Sequence, residues 1–178
     1  MTDSEQLDTR RLYLHEAGHA VVGIELGCVI SEVVCNGETG YCSADLSPDA
    51  GTKLTEAVKL NLDSHLASLA TLEQVVAAYF PRFVSIVGGL AGESLVPGRP
   101  IYSTRRAADD LSNFYGFLGS MSCHLKAPEF MPIWQVTFER AQDEAWRIVR
   151  KRRRDVERLA DALQSASRLS GADVAALI

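Results

Sequence analysis

The chain has 178 residues, 47% of them hydrophobic, and a net charge of −5. That length suits one domain with its own core, and the composition is that of an ordinary soluble globular protein. The charge disfavours general nucleic-acid binding, the apolar runs fall short of the roughly 20 residues a membrane span needs, and no Gly-x-x-x-x-Gly-Lys-Ser/Thr loop offers a nucleotide-hydrolysis engine.

Met1 to Asp8 is polar and acidic, without a secretory apolar segment. The first predicted helix follows. Asp8 or Thr9 is its candidate cap and Gly27 its candidate end. Leu12, Val22 and Leu26 share one arc with His15 and His19, while Tyr13, Ala17, Ala20, Val21 and Ile24 fill the opposite arc. A helix apolar on two sides is a buried helix, so the polar groups inside it need partners.

Those polar groups form His15-Glu16-Ala17-Gly18-His19, a His-Glu-x-x-His pattern. Four residues on a helix make one turn, so both imidazoles reach one metal ion and Glu16 stands beside it as a base. Zinc held this way usually serves hydrolysis, because it lowers the pKa of bound water to about 7.

Val29 to Cys35 is rich in β-branched residues and reads as a strand. Asn36 to Gly40 is turn chemistry, and Tyr41 to Leu46 returns as a second strand. This small hairpin is the one convincing β element. Ser47 to Thr52 reads as loop, and Leu54 to Leu69 has helical periodicity. Leu72 to Leu95 is helical again, broken at Pro81, with Gly88-Gly89 allowing close packing. Pro97 to Pro100 is loop, and Ser103 or Thr104 caps a helix from Arg105 to about Ser120. Pro128 and Pro132 bracket a turn; a long helix then runs from Trp134 to about Arg168, and Ser170 or Asp173 starts a last short one. The predicted fold is mainly α (α+β), with 1–178 as one domain and 129–178 as its C-terminal helical part.

Cys28, Cys35, Cys42 and Cys123 form no Cys-x-x-Cys pair, which argues against a zinc ribbon or a thioredoxin-like site. A reduced, cytoplasmic setting is the expectation.

Catalytic zinc takes three protein ligands, and the motif supplies two. His65 and His124 are isolated and suit surface or loop roles. Ala107, Leu111, Phe114 and Leu118 mark the buried stripe of the helix after Thr104. Asp110 lies roughly 70° from that stripe and Asp109 roughly 170°. Asp110 therefore sits at the core's edge, as a ligand or as an ion-pair partner of Arg106; spacing alone leaves the two even. Glu93, beside Val87, Leu90 and Leu95, is a rival ligand.

Three segments, in order, resemble the peptidase domain of the FtsH family of zinc metalloproteases. His15 to Val22 is similar to its zinc helix, Gly88-Gly89-Leu90-Ala91-Gly92-Glu93 to its Gly-Gly-Arg-x-Ala-Glu-Glu segment, and Ser103 to Leu111 to its Ser-Thr-Gly-Ala-Ser-Asn-Asp-Ile/Leu segment. The resemblance implies a helical metallopeptidase domain with a hairpin after the zinc helix. It also implies that Asp110 is the third zinc ligand with His15 and His19. Leu90, Ser94 and Arg105-Arg106 depart from the family pattern. The family's membrane helices and ATP-driven unfolding module precede its peptidase domain, and Met1 to Thr9 has room for neither.

The expected activity is a zinc metalloendopeptidase without a built-in ATPase, with Zn2+ as cofactor. It would cleave peptides or unfolded proteins, alone or fed by a separate ATPase partner, as a monomer or a homo-oligomer, with no membrane partner. A hairpin edge around Val29 to Cys35 is a candidate aligner of substrate. The alternative is a catalytically silent zinc-binding regulatory or protein-interaction module, which intact Glu16 disfavours. The basic run Arg147, Arg150, Lys151, Arg152, Arg153, Arg154 and Arg158 raises a nucleic-acid reading, but Asp143, Glu144, Asp155 and Glu157 stand close enough to pair with it.

Overall fold

The computed structural model describes residues 3–62, 68–97, 105–122 and 126–178. His65, His124, Cys123 and the candidate caps Ser103 and Thr104 lie outside them. Among the described residues, seven helices and three strands follow in the order α1 (Asp3–Glu25), β1 (Val29–Cys35), β2 (Gly40–Asp45), α2 (Pro48–Leu62), α3 (Leu69–Glu93), α4 (Arg105–Met121), α5 (Ala127–Lys151), α6 (Arg153–Ala166), β3 (Arg168–Ser170) and α7 (Gly171–Leu177). The fold is mainly α with a small antiparallel sheet, as the sequence indicates.

Helix α1 is the axle. It packs on α3 along one side, and on the hairpin and α6 along others. Residues 11–18 and 20–23 are buried on every face, which is why the helix carries apolar residues on two arcs. It starts at Asp3, so Asp8 and Thr9 lie inside it and are not caps. Gly27, at φ +78°, turns the chain out of the helix as expected.

Three glycines set how closely α1 and α3 meet. A Cβ on Gly18 would lie 2.3 Å from the Gly88 carbonyl oxygen, and one on Gly92 would lie 2.1 Å from that of Leu14. Only hydrogen fits between these backbones. Helix α3 is long and apolar enough to cross a membrane by length and composition, but 67% of its most apolar stretch is buried within the fold. Its apolarity is that of a core helix.

The sheet order is β2-β1-β3, antiparallel throughout, with Val33 opposite Cys42 on one side and Leu169 on the other. The third strand is an addition to the predicted hairpin. It pairs Arg168–Ser170 with Glu32–Val34 and so makes β1 the central strand. The open edge beside the motif helix is β2, not the Val29–Cys35 segment expected to align a peptide.

The prolines account for most other differences. Pro48 is the first residue of α2, and the Ser47 hydroxyl accepts a hydrogen bond from the Ala50 amide. A loop reading of Ser47 to Thr52 thus gives way to a helix start. Helix α3 continues through Pro81 and α5 through Pro132. Each costs about 3 kcal/mol against an ordinary helix interior, and burial of Leu72, Val75, Val76 and Phe83 on α3, and of Thr137, Ala141 and Ala145 on α5, offsets it. Pro128 sits in the first turn of α5, where its missing amide hydrogen has no partner to lose.

The predicted long C-terminal helix divides at Arg152. Arg152 there bridges Glu25 of α1 and Asp155 of α6, and Lys151 also reaches Glu25, at 2.6 Å. Arg147 pairs with Glu144, Arg153 with Glu157, and Arg158 with Asp155. The basic run is therefore largely neutralised by its own neighbours. Trp134, Phe138 and Trp146 pack partly buried against the core, and the Trp134 indole donates to the Ser122 hydroxyl.

Candidate metal centre

One turn of α1 presents His15 and His19 toward α3 and α4. Their Nε2 atoms lie 3.0 Å apart. Asp110 of α4 brings its Oδ2 to 3.2 Å from His15 Nε2 and 3.4 Å from His19 Nε2. Three ligands about 2.0–2.1 Å from a tetrahedral ion are separated by about 3.3 Å. The three atoms thus have the spacing of one face of a zinc tetrahedron. They are also the group among the described residues that converges like a metal site.

The far nitrogen of each imidazole is occupied. His19 Nδ1 lies 2.7 Å from the Ser85 carbonyl oxygen. A carbonyl can only accept, so this nitrogen carries the proton and Nε2 keeps its lone pair. The Gly89 amide is also near Nδ1, at the longer distance of 3.2 Å, and is the weaker contact. His15 Nδ1 lies 2.7 Å from Glu93 Oε1, a contact buried at both ends. A carboxylate there holds the imidazole in the tautomer and orientation a metal needs. The structure thereby corrects the rival ligand reading of Glu93: it stands behind His15, on the nitrogen away from Asp110.

Asp110 Oδ2 is buried and makes no hydrogen bond, although two imidazole nitrogens stand close to it. His15 Nε2, His19 Nε2 and Asp110 Oδ2 converge on one point, where a single cation would meet all three. His15 reports the same demand. Burial opposes its charge, but Asp110 and Glu93 outweigh burial and push its pKa up to about 10. Burial also works against ionised Asp110, yet His19 and His15 hold it well below the usual carboxylate range. A divalent cation fills such a centre better than a proton and displaces it on binding. The donor set of two imidazoles and one carboxylate suits zinc.

Asp110 occupies the edge of the core and Asp109 is exposed beside it, as helical phase indicates. Glu16 is buried, and its side chain lies against β2: a Cβ on Gly40 would be 2.7 Å from Glu16 Oε1. A Cβ on Gly89 would strike both imidazoles, 2.4 Å from His19 Nε2 and 2.6 Å from His15 Nε2. Glycine at 89 keeps the imidazole face open, and glycine at 40 lets the hairpin close over Glu16.

These groups line a pocket of about 260 Å3. Gly40, Tyr41 and Cys42 of β2 form one wall, Arg82, Ser85 and Ile86 of α3 a second, and Asp109, Asp110 and Asn113 of α4 a third. Cys42 is the thiol nearest this chemistry. Burial, reinforced by the Glu16 charge, drives its pKa far above the ordinary thiol value, so it is a neutral wall residue and not a nucleophile. Ser85, Arg82 and the Glu93 contact escape a sequence reading. The Gly88-Gly89 pair beside Glu93 is the one signal that marks this stretch of α3 as closely packed. No protein-family model and no curated protein sequence matches the chain.

Proposed function

We propose that this chain is a zinc-dependent endopeptidase acting on peptides or unfolded proteins. The observation that carries the reading is the convergence of His15 Nε2, His19 Nε2 and Asp110 Oδ2 at 3.0–3.4 Å, with Asp110 Oδ2 lacking any hydrogen bond. Its order of segments, similar to that of FtsH-family peptidase domains, supports the same reading.

His15, His19 and Asp110 would hold the ion. Zinc there supplies a Lewis acid for the peptide carbonyl and lowers the pKa of water to about 7. Glu16 accepts the proton of the attacking water and passes it to the departing amine nitrogen as the C–N bond breaks, leaving a carboxylate and an amine. Glu93 and the Ser85 carbonyl fix the imidazoles. Strand β2 pairs only with β1 among the described residues. Its free edge can therefore receive an extended substrate by backbone hydrogen bonds. A folded substrate would have to be opened first; these 178 residues hold no Gly-x-x-x-x-Gly-Lys-Ser/Thr loop, so a separate ATPase is the proposed source of that step.

The test is cleavage of casein by zinc-loaded wild type beside Glu16→Gln. Wild type should cleave, and the variant should keep its zinc but lose at least about a hundredfold in rate, the scale of general-base catalysis. Equal rates would overturn the role of Glu16. Bound zinc without cleavage by either protein would favour a silent zinc-binding module.

A further inference from the structure

The pocket has one cationic side chain in its wall, Arg82. Arg82 lies on α3, one turn before Ser85, and is partly buried. It shares the pocket with Glu16, Asp109 and Asp110, of which Asp110 is turned toward the two imidazoles. It acts electrostatically on the Tyr79 phenol and on the Cys28 and Cys42 thiols. Burial raises all three of these groups, so none supplies a negative charge at neutral pH. Asp45, at the end of β2, influences the same phenol and the Cys28 thiol, yet neither it nor any other carboxylate among the described residues forms an ion pair with Arg82. This differs from the arginines at the α5–α6 junction, most of which meet a carboxylate. A partly buried guanidinium in a pocket wall, engaged in no ion pair among the described residues, suits an anionic ligand.

The pocket lining bounds the position of that anion. Gly40 faces Glu16. Side chains alternate along a strand, so Cys42 points to the same face two residues, or about 7 Å, further on. Gly40, Cys42 and Arg82 all line the one pocket, so Arg82 lies within a few residues of Glu16 along the strand. The α4 wall repels an anion instead, because exposed Asp109 lines it.

Resting on the peptidase reading above, we propose that Arg82 binds a substrate carboxylate and selects peptides carrying one within a few residues of the cleaved bond. That carboxylate is an acidic side chain or a free C-terminus; both present the same planar pair of oxygens to the guanidinium.

The test uses zinc-loaded protein and one fluorogenic peptide series. Glu replaces Gln at each of three positions on either side of the cleaved bond, and each peptide has a free or an amidated C-terminus. Wild type should prefer Glu to Gln by about tenfold in kcat/KM at one position, the scale of a single charge-assisted contact. If the C-terminus is the anchor, amidation should instead cost about tenfold in short peptides. In Arg82→Ala the preference should fall to near one, and in Arg82→Glu it should move to Lys at that position. The readout is a ratio within each variant, so a general loss of folding or zinc does not imitate it. A preference that survives Arg82→Ala, or no preference in wild type, overturns the proposal. If wild type cleaves nothing, the peptidase reading fails. Anisotropy of fluorescein-labelled Glu and Gln peptides on Glu16→Gln protein, with and without Arg82→Ala, then decides the carboxylate site. Tighter Glu binding that needs Arg82 supports it, and equal binding overturns it.

Discussion

Two charged regions meet α1, and they obey opposite rules. At its C-terminal end, Glu25 receives Lys151 and Arg152 in an arrangement where each charge has an opposite partner. About two to three turns before that, His15 and His19 converge with Asp110 of α4 on one point, with Glu16 beside them. The first region is complete as it stands and serves to tie helices together. The second is organised around a charge the chain itself does not contain. Charged residues that satisfy one another indicate structure; buried ones that converge without satisfying one another indicate a ligand.

The sharpest way to break the contrast is to remove a convergent group. Asp110→Ala should lower zinc affinity by more than a hundredfold, read by competition with a chromophoric chelator; an unchanged affinity would remove Asp110 from the ligand set. Next comes the helix contact that holds the centre together. Gly18→Ala places a methyl 2.3 Å from a backbone oxygen, which should cost about 3 kcal/mol in denaturant unfolding, since backbone cannot rotate aside as a side chain can. A neutral effect would mean that α1 and α3 can separate without penalty.

Glu93→Gln is subtler, because it keeps the shape and removes the charge behind His15. Zinc affinity should fall about 10- to 100-fold, the usual loss for a partner behind a metal-bound histidine, while Glu93→Asp should recover part of it. The smallest effect belongs to the complete region. Lys151 and Arg152 hold the Glu25 carboxyl below its ordinary value of 4.5. That contribution is present above pH 4.5 and is lost as pH falls through the depressed folded value. Glu25→Gln should therefore cost about 1 kcal/mol or less at neutral pH, flatten stability against pH on the acid side, and leave zinc affinity unchanged.

What could be read without coordinates follows the range of the interactions. The motif helix, the β1 bounds Val29–Cys35 and the placement of Asp110 at the core's edge rest on local periodicity, and they agree with the structure. Strand β3 was hidden because three residues carry no pattern and their partner lies far back in the chain. The continuity of α3 through Pro81 depends on the core packed around it, which a local helix-breaking rule does not include. The division at Arg152 coincides with an ion-pair network spanning α1 and α6. Glu93 was legible as a buried carboxylate near the centre, but which nitrogen of His15 it meets depends on the approach of α3. Arg82 gave no signal at all, since an isolated arginine six residues before a glycine pair resembles any surface cation.

Strand β3 also gives the molecule a timetable. During synthesis the motif helix emerges first, carrying two of the three convergent groups. Asp110 follows only after the whole of α3, and the far side of β1 stays unpaired until Arg168–Ser170 has been made. The two imidazoles thus wait for Asp110 until α3 has been made, and the sheet is completed later still. Any activity of this centre would arise only after the segments that hold it together have been translated.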